Sequence, residues 1–292
     1  MAVMKTGMTV PDVKLNDGTT IPQLGFGVFQ VKPDQTQQVV EQALEVGYRH
    51  IDTAQMYRNE EGVGRAIAAA GIPRDELYVT TKLNNGFHRP DDARQAFGQS
   101  LQRLGLDRVD LFLIHWPLPT RYDGDFESTW RTLGEFSAQW GDGRATSIGV
   151  SNFEPDHLKR IIDDSGHLPV VNQVEVHPYF GNEAVRAAAM SYDIATEAWS
   201  PIARGAVLDD PAIGEIAQRL ERTPAQVTLR WHVQRGDIVF PKSVNPDRMR
   251  ENFAIFDFEL TDDDMAAITA LDRGADGRHG ADPKTMDWIP ER

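Results

Sequence analysis

The chain has 292 residues, of which 40% are hydrophobic and 25% are charged, and this balance supplies enough material for the core of a barrel-sized globular protein. Its 44 acidic side chains outnumber its 30 basic ones, so a net charge of -14 argues against a nucleic-acid partner. The absence of cysteine excludes disulfides, thiolate metal sites and cysteine nucleophiles. No apolar run reaches membrane length and Met1 to Val10 lack the apolar core of a secretory signal, so we expect a cytoplasmic protein without membrane partners.

The first predicted element is a β-hairpin in residues 13–21, where two strand-like arms flank an Asn-Asp-Gly turn. Strand and helix patterns alternate from there to the end of the chain. Predicted strands end at Phe29, Thr53, Lys82, His115, Val150, Glu175, Trp199 and Lys242. Predicted helices cover residues 36–46, 91–104, 126–139, 157–163, 183–191, 212–219 and 224–234, with others at residues 60–67 and 261–271.

The eight strand ends follow one another at intervals of 24 to 43 residues, with no long linker between the units. Eight β-then-α units of this size predict an α/β fold, a closed (β/α)8 TIM barrel, rather than an open sheet. We therefore predict one domain over residues 1–292, with the hairpin at its N-terminus. The glycine- and charge-rich tail from residue 274 is expected to form a loop over the site.

Ionisable side chains cluster at the C-terminal ends of the predicted strands, the face on which such barrels carry their sites. Asp52 ends one strand and Tyr57 follows it in the turn to the next helix, while Lys82 and His115 end the next two strands. Each of these residues has an ordinary structural interpretation on its own, as a loop tyrosine, a buried ion pair or a core histidine. Their coincidence on one face favours a functional site.

These side chains suit proton transfer to a carbonyl oxygen. A tyrosine with a pKa near 10 holds its proton at neutral pH, and a neighbouring ammonium makes it a better acid. Lys82 supplies that ammonium, Asp52 keeps it charged and oriented, and His115 is placed to orient a substrate oxygen. Such a set reduces a carbonyl when hydride arrives from elsewhere, and it needs no metal.

Several spaced motifs, in the same order along the chain, resemble those of the aldo-keto reductases, and among them most the bacterial 2,5-diketogluconate reductases. The motifs lie in residues 47–64, 114–117, 148–153 and 240–244, and the resemblance extends from about residue 13 to residue 272. It implies that Tyr57 is the general acid, that Lys82 and Asp52 adjust its acidity, and that His115 positions the carbonyl.

The resemblance also implies a binding site for NADPH. Ser151, Asn152 and Gln173 would hold the nicotinamide carboxamide, and Trp199 would stack on the ring. The remaining predicted cofactor contacts are Ser200, Pro201, Ile202 and Gly205 over the pyrophosphate, then Lys242, Ser243, Val244, Arg248, Glu251 and Asn252 around the adenosine phosphate. Lys242 and Arg248 form the local cation pair that a 2′-phosphate requires, so we expect NADPH to be preferred over NADH.

The predicted substrate pocket consists of Phe26, Tyr57, Asn84, His115 and Trp116, and its ligand is a small carbonyl compound. Many relatives carry a tryptophan where this chain has Asn84, so we expect a more open or more polar pocket. Two other functions stay open at this point. One is a Schiff-base aldolase with Lys82 as nucleophile, which pairing with Asp52 would oppose. The other is a cofactor-binding regulatory protein with little turnover. The family expectation is a monomer.

Overall fold

The computed structural model describes residues 9–290, so what was predicted for residues 1–8 and for the last two residues of the tail lies outside the described residues. The predicted hairpin is confirmed: β1 (Asp12–Lys14) and β2 (Thr20–Pro22) pair antiparallel. Gly18 in its turn has φ 87°, a conformation that glycine adopts without strain. The buried side chains of Leu15 and Ile21 pack against the residues that fill the N-terminal end of the barrel, so the hairpin covers that end.

Within residues 9–290, eight parallel strands follow one another around a barrel in chain order, which confirms the predicted fold. Their bounds are β3 (Phe26–Gly27), β4 (His50–Asp52), β5 (Tyr78–Leu83), β6 (Val109–Ile114), β7 (Ala145–Ser151), β8 (Val171–Glu175), β9 (Ala195–Trp199) and β10 (Ile238–Val239). The barrel closes where Leu24, just before β3, pairs in parallel with Val239 of β10. The N–H of Gly25 donates to the Val239 carbonyl oxygen at 2.7 Å across this seam.

The helices surround the strands and begin and end at recognisable residues. Gly47 ends the first helix with φ 127°, and Thr223 begins the eighth with a reciprocal cap, in which its hydroxyl accepts from the N–H of Gln226 at 3.2 Å. The described helices are α1 (Pro33–Val46), α2 (Glu60–Ala69), α3 (Pro90–Leu104), α4 (Glu127–Gly134), α5 (Pro155–Ser165), α6 (Glu183–Ser191), α7 (Pro211–Arg219), α8 (Pro224–Gln234), α9 (Pro246–Phe253) and α10 (Asp262–Thr269). None of them combines the length and apolar character that a membrane span requires.

Two helices differ from the sequence prediction. The helix predicted over residues 126–139 ends at Gly134, because the chain turns back and pairs the N–H of Ala138 with the carbonyl oxygen of Ala145 at 2.8 Å. A side chain at Gly141 would lie 1.9 Å from the Glu135 carbonyl oxygen, so this return requires glycine. Helix α9 was not predicted, since its short, highly charged sequence gives no clear apolar stripe.

The barrel interior changes character along its axis. Its N-terminal part is filled by apolar side chains, among them Leu111, Leu113, Val171 and Ile238. Towards the C-terminal ends of the strands, buried ionisable and amide side chains replace them. Because all the strands run in one direction, these groups come together at a single mouth of the barrel.

Candidate active site

A buried ion pair lies at the centre of the site. Lys82 on β5 and Asp52 on β4 are 0% and 2% exposed. The Lys82 Nζ atom donates to both carboxylate oxygens of Asp52, at 2.7 and 2.8 Å, and to the Thr53 carbonyl oxygen at 2.9 Å. These three short hydrogen bonds hold the ammonium group in one position.

Tyr57 stands beside this pair. It ends a turn of 3₁₀ helix, Gln55–Tyr57, in the connection from β4 to α2. The turn is fixed because the Gln55 side chain donates to the Ala96 carbonyl oxygen at 2.6 Å and accepts the N–H of Asn84 at 2.9 Å. The Tyr57 hydroxyl consequently lies 3.5 Å from Lys82 Nζ, at the long limit of a hydrogen bond.

Burial and the neighbouring charges set the protonation states of the two groups. Burial alone would lower the pKa of Lys82, but Asp52 more than offsets it, so that pKa lies above its ordinary value. Burial also raises the pKa of Tyr57, and Lys82 offsets part of this rise. At neutral pH, therefore, the lysine carries its charge and the phenol keeps its proton.

His115 follows β6 and contacts the ring of Tyr57. Its ring meets that of Tyr57 edge to face, with the ring centroids 5.7 Å apart, and the residue is 7% exposed. Burial, together with the charge of Lys82, lowers the pKa of His115 well below its ordinary value. The imidazole is therefore neutral at physiological pH. Its Nδ1 atom finds no hydrogen-bond partner among the described residues.

A second set of side chains forms a hydrogen-bonded chain across the mouth. The Trp199 indole N–H donates to Asn152 Oδ1 at 2.9 Å, and the Asn152 amide N–H₂ donates to the His115 carbonyl oxygen at 2.9 Å. Ser151 Oγ donates to the backbone oxygen of Gln173 at 2.8 Å. Ser151, Asn152, Gln173 and Trp199, predicted together from sequence, are therefore brought together by β7, β8 and β9.

The other predicted cofactor residues lie in two segments, one after β9 and one after β10. Ser200, Pro201, Ile202 and Gly205 form the connection from β9 to α7, in which Gly205 has φ 98°. Lys242, Ser243 and Val244 follow β10, and Arg248, Glu251 and Asn252 lie on α9. Lys242 and Arg248 are exposed, and within residues 9–290 neither forms an ion pair. Two cations on this surface are therefore not neutralised by a neighbouring carboxylate.

One predicted substrate residue lies elsewhere. Phe26 is 1% exposed and packs edge to face on Tyr48 with the ring centroids 5.3 Å apart, in the core outside the strands. Phe29, three residues further on, is 51% exposed, and its ring centroid lies 5.0 Å from that of Tyr57, so Phe29 rather than Phe26 lies beside the phenol. The physical reason is that β3 is only Phe26–Gly27, with the Phe26 side chain buried in the core, and Phe29 lies in the turn after the strand. Trp116 is half-buried beside His115 in sequence.

Asn84, which we predicted to open the pocket, is engaged in local structure. Its side-chain oxygen accepts the N–H of Gly86 at 3.0 Å and caps a short turn after β5. The next residue, Asn85, donates to the main-chain oxygen of Trp288 at 2.9 Å. The loop containing Asn84 is therefore joined directly to the C-terminal tail.

The C-terminal tail crosses the mouth of the barrel, as predicted. Glu175 at the end of β8 accepts the main-chain N–H groups of His279 and Gly280, both at 2.8 Å. Further on, Arg121 donates to the carbonyl oxygen of Asp287 at 3.0 Å. The tail is thus attached to the rim of the barrel at several points.

Sequence reasoning missed one buried acid in the site. Glu197 on β9 is 0% exposed, and its carboxyl group accepts from the side chain of Gln173 at 2.9 Å. The same Gln173 nitrogen donates to Asp52 at 2.9 Å. The sequence contained a signal for this burial. Side chains alternate along a strand, so Glu197, two residues before Trp199, points to the same side of β9 as Trp199 does.

A closed parallel barrel that carries a phenol beside a buried lysine–carboxylate pair belongs to the class of barrel enzymes that act by acid catalysis on a carbonyl group. Comparison with known families identifies the family within this class. The model of the aldo/keto reductase family matches residues 23–273, which shows that the chain belongs to that family and is an oxidoreductase. The resemblance stated from the sequence is confirmed.

Individual relatives agree with this assignment. The chain is 50% identical to the Methylglyoxal reductase DkgA of Yersinia pestis over 279 residues, which are 94% of this chain and 97% of the relative. It is 48% identical to an aldo-keto reductase of Mycolicibacterium smegmatis over 278 residues, 95% of this chain and 98% of that one. The crystal structure of a Gox0644 mutant in complex with NADPH matches with a TM-score of 0.91 and 46% identity, over 96% of this chain and 100% of the other.

Proposed function

We propose that the protein reduces a small aldehyde or ketone with NADPH, and that Tyr57 donates the proton. The observation that carries this proposal is the placement of a protonated phenol 3.5 Å from an ammonium group that is itself fixed by a buried carboxylate. When bound, NADPH supplies the hydride for the carbonyl carbon. The proton of Tyr57 goes to the carbonyl oxygen, and the product is an alcohol.

The ion pair lowers the barrier to this proton transfer. As the proton leaves Tyr57, negative charge develops on the phenol oxygen beside the Lys82 ammonium. Lys82 stabilises that charge and needs no reorientation, because Asp52 and the Thr53 carbonyl oxygen hold it in place. The pairing with Asp52 also opposes the aldolase alternative, since it keeps the amine protonated and a protonated amine is a poor nucleophile.

The role that we assign to His115 is orientation. Because its pKa is held well below the ordinary value, the imidazole is neutral and does not compete with Tyr57 as the acid. A neutral ring can donate one N–H to the carbonyl oxygen and hold it near the phenol. Trp116 and Phe29 would bound the carbonyl compound on the side towards solvent.

We propose that Ser151, Asn152 and Gln173 hold the nicotinamide carboxamide and that Trp199 covers the ring. The hydrogen bond from the Trp199 indole to Asn152 fixes the indole plane, which is what a stacking surface requires. The connection of residues 200–205 lies next to this indole and is available to the pyrophosphate. Support for NADPH comes from a solved relative that holds this cofactor.

Cofactor preference gives a first prediction. Changing both Lys242→Ala and Arg248→Ala removes the two exposed cations proposed to face the 2′-phosphate. Because a hydrogen bond to a charged group contributes about 1.5–3 kcal/mol, we expect NADPH to bind at least about tenfold more weakly. The affinity for NADH, which has no 2′-phosphate, should stay unchanged. Fluorescence titration of the tryptophans with each dinucleotide measures both constants.

Arg250→Ala is the matched control, because Arg250 is an exposed arginine on the same helix that already pairs with Asp247 at 2.8 Å. It should alter neither affinity. An equal loss of NADPH and NADH binding in the double variant would contradict the proposed phosphate site.

We propose small dicarbonyl compounds such as methylglyoxal, and related diketones or keto-sugars, as the substrate class. Support comes from the relative named Methylglyoxal reductase DkgA. The deciding experiment is the rate of NADPH oxidation with methylglyoxal, 2,5-diketogluconate, an aromatic aldehyde and glucose. Dicarbonyl compounds should give the highest kcat/KM. Tight NADPH binding without turnover of any of them would favour a regulatory protein instead.

We further infer that the protein works as a monomer in the cytoplasm and that residues 1–292 form one domain. The proposed reaction draws on NADPH, which cells regenerate in the cytoplasm. Light scattering on the eluting protein should give one species near the chain mass of 32.7 kDa, and cell fractionation tests its compartment. A single cooperative unfolding transition is expected of one domain.

A further inference from the structure

A second buried acid lies in the barrel interior and has no part in the reaction as described so far. Glu197 on β9 is fully buried, and its Oε2 atom accepts from Gln173 Nε2 at 2.9 Å. The same nitrogen donates to Asp52 Oδ2, also at 2.9 Å. One amide group therefore joins Glu197 to the carboxylate that holds the catalytic lysine.

This arrangement fixes which way round the Gln173 amide lies. An amide nitrogen has two N–H bonds, and here both point to carboxyl oxygens, one on Asp52 and one on Glu197. The Gln173 side-chain oxygen is then the atom left to accept a hydrogen bond from a ligand. Since the proposed ligand is a carboxamide that offers an N–H, the two acids together select the useful orientation of Gln173.

The two acids differ in charge. Asp52 receives both of its short bonds from the Lys82 ammonium, whereas Glu197 has only the neutral amide of Gln173. Its other oxygen, Oε1, has no hydrogen-bond partner within residues 9–290. Burial and the nearby charge of Asp52 raise the pKa of Glu197 to about 8, and Gln173 and Lys82 only partly oppose this. Glu197 is therefore a neutral acid at physiological pH.

The groups that interact with Glu197 come from three strands, of which β8 is adjacent to β9 and the other two lie across the barrel interior. Asp52 belongs to β4, Lys82 and Tyr78 to β5, and Gln173 to β8. On its other side β10 presents Ile238, which is apolar and pairs with Glu197 in register. Lys82 is thus the one cation among these partners, and Asp52 already engages it.

We propose that Glu197 is a positioning residue that works as a neutral acid, and that its ionisation switches the reductase to a less active form at alkaline pH. Loss of its proton places a second negative charge in the interior beside Asp52. Because Glu197 interacts electrostatically with Lys82, that charge offsets part of the positive potential with which Lys82 stabilises the phenolate of Tyr57, so Tyr57 becomes a weaker acid. This inference rests on the proposed function as a carbonyl reductase.

The test uses Glu197→Gln, which keeps the size and polarity of the side chain but has no proton to lose. We measure kcat and KM for methylglyoxal with saturating NADPH from pH 6 to pH 10. The wild type should lose about tenfold in kcat between pH 7 and pH 9.5, which corresponds to about 1.4 kcal/mol in the barrier. The kcat of Glu197→Gln should stay level from pH 6.5 to pH 9.5, over the range in which that of the wild type falls.

Glu60→Gln is the matched control. Glu60 is also a buried carboxyl group that contacts β5, through Thr81 at 2.7 Å, but it lies outside the barrel. Its variant should keep the alkaline fall of the wild type. A role of Glu197 in packing alone would instead lower kcat by the same factor at every pH, and an unchanged alkaline fall in Glu197→Gln would overturn the inference.

A second measurement tests the inference even if Glu197→Gln fails to fold. In wild-type protein labelled with ¹³C at the glutamate carboxyl carbons, one signal should titrate with a midpoint near the pKa of about 8. Absence of any glutamate titrating between pH 7 and pH 9 overturns the inference without the need for a variant. Because this readout needs no substrate, failure of the wild type to reduce any carbonyl would contradict the proposed function alone.

Discussion

Tyr57→Phe is expected to remove most of the turnover and to leave NADPH binding nearly intact. The substitution deletes one hydroxyl group, and with it the proton that the mechanism delivers to the carbonyl oxygen. A positioned general acid contributes about 10²–10⁴-fold to a rate, so we expect kcat to fall by that factor. The aromatic ring remains to pack against Phe29 and His115, as it does in the wild type. NADPH oxidation and tryptophan fluorescence measure the two effects.

The informative control is Tyr192→Phe, which deletes the hydroxyl of a tyrosine that follows α6 on the outside of the barrel. It should retain wild-type kinetics. Wild-type turnover in Tyr57→Phe would remove Tyr57 from the mechanism, and a large loss of NADPH affinity would show that the hydroxyl serves cofactor binding instead.

Lys82→Met is expected to damage both catalysis and stability. It leaves Asp52 buried with a charge that the ammonium no longer balances, and loss of one partner of a buried pair costs about 3–5 kcal/mol. It also removes the cation that stabilises the phenolate of Tyr57. We therefore expect a large fall in kcat together with a lower free energy of unfolding, measured by NADPH oxidation and by urea denaturation.

A double variant separates the two effects. In Lys82→Met combined with Asp52→Asn the uncompensated charge is gone, and the new amide oxygen can still accept from Gln173. Stability should recover most of the loss, whereas turnover should stay low because the ammonium is still missing. If the double variant regained activity, the catalytic role proposed for the lysine would be wrong, and the pair would matter only for folding.

Much of the site was predictable because of the geometry of parallel strands. Asp52 and Lys82 end neighbouring strands of a repeating β-then-α pattern, and parallel strands bring their ends to one mouth. The same rule predicts that Tyr57 and His115 lie at this mouth of the barrel. Hydrogen bonds between side chains far apart in sequence were less predictable, such as that from Trp199 to Asn152, because a strand pattern does not specify rotamers.

The errors have equally local causes. Phe26 lies in β3, where its side chain packs against Tyr48 in the core, whereas Phe29 lies in the turn that follows this strand. Glu197 was overlooked because a single glutamate in a strand usually faces solvent. Its burial depends on an amide from β8, which only the assembled barrel brings near it. Helix α9 was missed because its sequence is highly charged.

The seam of the barrel has a consequence for how the protein is made. Leu24, near the beginning of the described residues, pairs with Val239, so the two strands that close the barrel are synthesised far apart in time. Until the later one leaves the ribosome, the growing sheet has two unpaired edges, which favour association with other chains. Pairing over such a sequence separation also slows folding. A chain that ends before Val239 would therefore expose both edges of the sheet and could not close the barrel around the active site.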